Sequence, residues 1–149
     1  MTSYDEQNVN DAAPLRVRPL VNHDTEFFWE GIAKGQLLFQ RCASCQVLRH
    51  PPAPMCPSCQ SMQIDVVASR GIGKVLSFTI VHQPAVPPFS YPNAIVLIEL
   101  TEGVRMISQL IGISPERVEM DMAVQVSFEK VDEELVLPMF RPSEDSEAA

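Results

Sequence analysis

Cys42, Cys45, Cys56 and Cys59 are all the cysteines of a 149-residue chain, and they form two C-x-x-C pairs with ten residues between them. Sulfurs so spaced could make a redox centre, a catalytic metal site or a structural staple. A C-x-x-C turn aims two thiolates at one ion, and two such turns complete a tetrahedron about 2.3 Å from a zinc ion. A catalytic zinc keeps one position open for water or substrate, whereas four cysteines close the shell. The expected cofactor is therefore a structural Zn²⁺; tetrathiolate iron and a metal-free cluster are the other chemical options. The ten-residue connection is shorter than the roughly fifteen to twenty of common zinc patterns, which favours two compact knuckles. Pro51, Pro52, Pro54 and Pro57 fix φ along it and lower the entropy lost on closure. Residues 35–62 contain Arg41 and Arg49 but no acidic side chain, so these arginines either offset the negative cluster or are simply solvated. His50, beside four better ligands, is expected to be a surface residue.

Nucleophilic catalysis would need a nucleophile beside a base, with an oxyanion hole. None can be assembled: the cysteines are committed to metal, and no serine stands in a G-x-S-x-G elbow. His82, closing the run VHQP, reads as a structural or loop-anchoring residue. The G-x-G at Gly71–Gly73 lacks the continuation and the helix of a phosphate loop, and reads as a bulge entering a strand. The loop HQPAVPPFSYPN from His82 to Asn93 carries Val86, Phe89 and Tyr91 among prolines that keep it extended. It could line an apolar passage, grip a partner, or pack on itself.

Three pieces must position these groups. HDTEFFWEGIAKG predicts a short helix capped by Asp24 or Thr25 and ended by Gly35. Its Phe27, Phe28, Trp29 and Ile32 cover more than one face, for packing on the chain's own domain or for docking a partner. QLLFQR predicts a strand leading into the cysteine loop. From Ile64 onward, IDVVAS, KVLSFTIVHQ, AIVLIEL, RMISQLIGI, AVQVSFE and LVLPMF predict five or six strands of a small barrel or sandwich. A short helical turn with Ser114 as cap and Pro115 at its first position falls between the third and fourth main strands. The fold class expected is mainly β.

Composition excludes several functions. The net charge of −8 opposes a nucleic-acid binder, and residues 70–142 hold six Lys or Arg against nine Asp or Glu. No stretch approaches the roughly 20 apolar residues of a membrane span, and the N-terminus has neither a basic start nor an apolar signal core. A cytoplasmic location is expected, where clustered thiols bind metal rather than pair as disulfides.

The segments FFWEGIAKGQLLFQRCASCQVLRHPPAPMCPSC, RGIGKVLSFTIVHQP, IVLIELTEGVRMISQLIG and LPMFRP together resemble the acyl-CoA-associated family that joins a rubredoxin-like zinc ribbon to an OB-fold. The resemblance spans roughly residues 24–142, and within the family it looks most like the branch serving steroid side-chain aldolases. It implies an N-terminal helix, a rubredoxin-like zinc ribbon and a five-stranded OB-fold barrel. The expected division is a flexible arm over 1–21, helix and ribbon over 22–63, barrel over 64–142 and a flexible acidic tail over 143–149. The implied function is a subunit that is not catalytic alone, docked on a thiolase-like enzyme in a hetero-oligomer, with acyl-CoA at the shared interface. Phe27, Phe28, Trp29, Val86, Phe89 and Tyr91 are then candidate contacts to partner or acyl chain. A single-stranded nucleic-acid binder and a rubredoxin-like electron carrier are the competing readings. Two departures from the family pattern stand out. Gln46 and Gln60 follow the C-x-x-C pairs where glycine is common, which calls for a different local turn, and Asp121 replaces a glycine before the fourth barrel strand.

Overall fold

The computed structural model describes residues 16–144. Most of the arm expected over 1–21 and the tail from 145 onward lie outside them. The first element is helix α1 (Glu26–Ala33). Its entry is capped by neither predicted side chain. Asn22 does the work: its Oδ1 accepts from the Asp24 and Thr25 amides at 3.0 and 3.1 Å, and its carbonyl accepts from the Glu26 amide at 2.9 Å. At the other end Gly35 takes φ +73°, the left-handed position expected of it.

Strands β1 (Leu38–Cys42), β2 (Leu48–Arg49) and β3 (Ile64–Ala68) form a three-stranded antiparallel sheet in the order β2-β1-β3. The run IDVVA, counted with the barrel from its sequence, thus pairs with β1, residue for residue from Leu38↔Ala68 to Cys42↔Ile64. Its period-2 pattern fits either sheet. What decides is the cysteine loop, which folds the chain back beside β1.

The barrel follows: β4 (Ile72–Val81), β5 (Asn93–Leu100), β6 (Arg105–Leu110), β7 (Ala123–Lys130) and β8 (Val136–Pro142), closed in the order β4-β5-β6-β8-β7. This is the five-stranded OB-fold. β6 and β8 run parallel through Leu110↔Phe140, and β7 returns to β4. One 3-10 turn, Pro115–Arg117, sits between the third and fourth barrel strands, and Ser114 precedes it without capping it: its hydroxyl donates to the Glu116 carboxylate. The β4 irregularity lies at Val75–Ser77, not at the G-x-G. Gly73 is needed for a different reason, since a Cβ there would stand 2.6 Å from the Glu99 carbonyl of β5.

Alternation along β5 buries Ala94, Val96, Ile98 and Leu100. These join Val75, Met106, Val124 and Phe140, and the same cluster continues through Leu37 and Phe39 of the ribbon to Phe28 and Ile32 of α1. Helix, ribbon and barrel therefore share one core, with α1 packed on both β1 and β8. Among the described residues no helix is long and apolar enough to cross a membrane.

Candidate functional site: a four-cysteine centre beside an apolar cleft

The metal centre is built by two matching turns. Cys42 ends β1, and the Gln46 amide donates back to its carbonyl at 3.0 Å; the Gln60 amide repeats this on Cys56 at 2.9 Å. Gln46 and Gln60 adopt φ +65° and +62°. The expectation of a different local turn is thus overturned: the glutamines keep the left-handed geometry that glycine adopts without steric cost. Gln46 Nε2 adds a bond to the Ala43 carbonyl at 3.0 Å. Asp121 does likewise at φ +62° before β7, with its amide donating to Val75 O at 2.7 Å.

The four Sγ atoms lie within 4.8 Å of one another, with Cys42–Cys59 at 3.5 Å and Cys45–Cys56 at 3.6 Å. Tetrahedral bonds of about 2.3 Å require edges of about 3.8 Å, so the donor set fits a Zn²⁺ ion. Cys42 and Cys56 are buried while Cys45 and Cys59 reach the surface. Backbone amides prepare the buried pair as thiolates. The Cys45 amide, with that of Ser44, draws Cys42 down, and the Cys59 amide, with that of Ser58, draws Cys56 down to about 6 against the cost of burial. For Cys45 the Val47 amide pulls downward but loses to burial and the three neighbouring sulfurs, which push it up to about 12. Without a cation one thiolate is thus opposed by the others; a bound divalent ion would remove that conflict. A closed shell of four sulfurs has a structural use, to pin β1 to the loop that leads into β3.

Both arginines have partners of their own. Arg41 pairs with Asp65 directly across β1 and β3, and this holds the Asp65 carboxyl below its ordinary range. Arg49 donates to Oε1 of Gln40 and, through Nη2, to the Ala53 carbonyl at 3.0 Å. Gln40 is fully buried, and its Oε1 also accepts from the Ala53 amide at 2.9 Å. Gln40 thereby ties the proline-rich loop to β1, a role its place in LFQRC did not announce.

His50, expected at the surface, is half-buried. Its ring packs between Phe28 and Phe39, at 5.1 and 5.6 Å between centroids, and burial pushes its pKa down. It borders a cleft of about 490 Å³ between α1, the ribbon and the barrel wall. Of the candidate contact residues, Phe28, Trp29 and Phe89 meet on this cleft. Phe28 is mostly core, Trp29 stacks on it edge to face at 5.2 Å, and Phe27 packs elsewhere on the core. The 82–93 loop does not stay extended: it turns at Val86 and Phe89, whose amides donate to Pro84 O and Val86 O at 3.0 and 3.4 Å. Phe89 and Tyr91 contact each other at 6.4 Å, and Arg16 lies 4.3 Å over the Phe89 ring. Val86 and Phe89 are exposed, Tyr91 is half-buried, and His82 is exposed just beyond β4. Asn93, at the start of β5, also lines the cleft; ending a proline-rich loop, it carried no sequence signal beyond its polarity.

Comparison with known proteins accords with this architecture. The family model described as the ChsH2 rubredoxin-like zinc ribbon domain matches residues 29–64, and that of the ChsH2 C-terminal OB-fold domain matches 66–129. The chain is 43% identical over 138 residues to a probable enoyl-CoA hydratase alpha subunit of Thermomonospora curvata, covering 93% of this chain and 43% of that protein. It is also 43% identical over 112 residues to the 3-oxo-4,17-pregnadiene-20-carboxyl-CoA hydratase alpha subunit of Mycobacterium tuberculosis, covering 75% and 36%. The chain thus spans less than half the length of these two relatives. A solved structure, the Ltp2-ChsH2(DUF35) aldolase, contains a chain that superposes with a TM-score of 0.81 at 44% identity, covering 84% of this chain and 98% of that one. Two successive domain matches and a solved relative matched over nearly its whole length show that this chain belongs to the ChsH2/DUF35 family of zinc-ribbon OB-fold proteins.

Proposed function

We propose that this chain is a non-catalytic subunit that docks on a thiolase-like acyl-CoA enzyme and helps to form its acyl-CoA site, in a complex that cleaves a steroid side chain by retro-aldol chemistry. The observation that carries the reading is the likeness, at 44% identity, to the chain of a structure described as an Ltp2-ChsH2(DUF35) aldolase. Relatives named as alpha subunits of CoA-thioester hydratases support a place in a larger assembly. The chain's own chemistry points the same way. All four thiols sit in one cluster, and the His50 ring is wedged between two phenylalanines, so neither offers a free nucleophile–base pair.

In this reading Cys42, Cys45, Cys56 and Cys59 hold a structural Zn²⁺, which would supply no reaction step and instead fix the ribbon against β1. The ribbon in turn presents α1 and the proline loop. Phe27, Phe28, Trp29, Val86, Phe89 and Tyr91 then contact the partner or the acyl chain, Phe28, Trp29 and Phe89 through the cleft. The test is turnover of an acyl-CoA by a thiolase-like partner, assayed with and without this chain. Turnover that depends on this chain is expected. Equal turnover in its absence overturns the proposal.

A further inference from the structure

The segment that leads into α1 is tied to the rest of the molecule by two arginines. Arg16 sets its guanidinium 4.3 Å over the Phe89 ring of the 82–93 loop. Arg18 donates to Asp132 at 2.6 Å and lies 3.6 Å from Glu134, both in the turn between β7 and β8. Residues 16–21 thus form a strap held at two separate loops. Little else holds it. Val17 and Leu20 are 89% and 84% exposed, and residues 16–21 make no backbone hydrogen bond to other described residues. Ion pairs and cation–π contacts at exposed positions are individually weak, and a segment with few buried contacts opens far more readily than the core.

The strap passes along Trp29. Arg16 lines the cleft of about 490 Å³ together with Trp29 and Phe89, while Arg18, Pro19 and Val21 line a second hollow of about 340 Å³ whose wall includes Trp29 and Leu135. From this placement we infer that residues 16–21 are a latch at the rim of the cleft, closed by Arg16 on Phe89 and Arg18 on Asp132, which swings out to uncover Trp29 and the Phe89 ring. In the closed form Arg16 covers one face of that ring, so whatever takes this face must first displace the guanidinium. The closed strap therefore opposes contacts made through Phe89. Only Val17 separates the two arginines, so while either tie holds, the other arginine stays close to its own partner and rebinds at high effective concentration. Loss of both ties is what frees the strap. The latch regulates the contact role proposed above for Trp29 and Phe89, and rests on that reading only for what it admits.

Trp29 is the single tryptophan, so its emission reports the latch without a label. Acrylamide quenching is measured on the zinc-loaded full chain and on Arg16→Gln, Arg18→Gln and the double variant, with neither partner nor acyl-CoA present. The double variant is expected to raise the bimolecular quenching constant at least about twofold, and by more than the product of the two single effects, because either tie alone keeps the strap down. Asp132→Asn releases the second tie from its other end. It replaces the Oδ2 that Arg18 bonds and keeps the Oδ1 that accepts from the Glu134 and Leu135 amides at 3.0 Å. Combined with Arg16→Gln it is expected to reproduce the double variant, and it decides the matter if Arg18→Gln loses the amide protection of Val96 and Ile98 that marks a folded barrel. Quenching equal to that of the unaltered chain overturns the latch, and so does a double effect no larger than the product of the single ones. Partner assembly plays no part in this measurement, so it and the partnership test can fail separately.

Discussion

Gln60 carries a steric cost that a single substitution can relieve. A non-glycine residue at φ +62° is strained by about 1–2 kcal/mol, while glycine gives back about 0.5–1 kcal/mol in unfolded-state entropy. Gln60→Gly is therefore expected to stabilise the ribbon by about 0.5–1 kcal/mol, measured as a rise in the denaturation midpoint with zinc bound. Gly73→Ala should do the reverse. Its Cβ would meet β5 backbone at 2.6 and 3.1 Å, so a loss of about 1–3 kcal/mol is expected in denaturant unfolding. His50 shows why residue-scale reading reaches only so far. Between Arg49 and Pro51 it looks solvated, and only the arrival of Phe28 from α1 and Phe39 from β1 half-buries it. The cysteines were legible because metal coordination fixes both their spacing and their chemistry. Gln40 and Asn93 were not, because their importance comes from what the fold places opposite them.

At the scale of elements, the ribbon stands on its metal and on one edge of the shared core. Chelation or Cys56→Ser is expected to remove zinc and open β1–β3, seen as fast hydrogen exchange at Val67, which sits opposite Phe39 of β1, while Val96 and Ile98 in β5 stay protected. Metal analysis of the untreated protein should find about one zinc per chain and no colour from iron. A second element-scale contact is the strap before α1, where Arg18 donates to Asp132 at 2.6 Å and lies 3.6 Å from Glu134. The guanidinium holds the Asp132 carboxyl below its ordinary 3.8, so this tie contributes stability above the unfolded value and loses it as pH falls through the depressed folded value. In Arg18→Ala, a carboxyl NMR titration should find Asp132 shifted upward toward 3.8. The strand runs were readable from alternation, which survives in β5 almost residue by residue. The allegiance of β3 was not, since alternation reports burial on a face and not which sheet a strand joins.

For the molecule as a whole, the single core joining α1, ribbon and barrel makes the cleft a fixed feature of the fold. The resemblance read from the aromatic helix, the paired cysteines and the closing LPMF is matched by two domain models and by a superposable solved chain. No single sequence can display its partner, because docking surfaces look like ordinary exposed apolar residues such as Val86 and Phe89 until something covers them. In a complex, changing Phe89 and Tyr91 together to Ala should weaken assembly at least tenfold with zinc content unchanged, read by affinity titration against the partner. The partnership itself is tested by light scattering on a size-exclusion column, with this chain and a thiolase-like acyl-CoA enzyme mixed. One peak that contains both chains and is heavier than either protein alone is expected, and two peaks at the separate masses, at concentrations where each protein is folded, would rule it out.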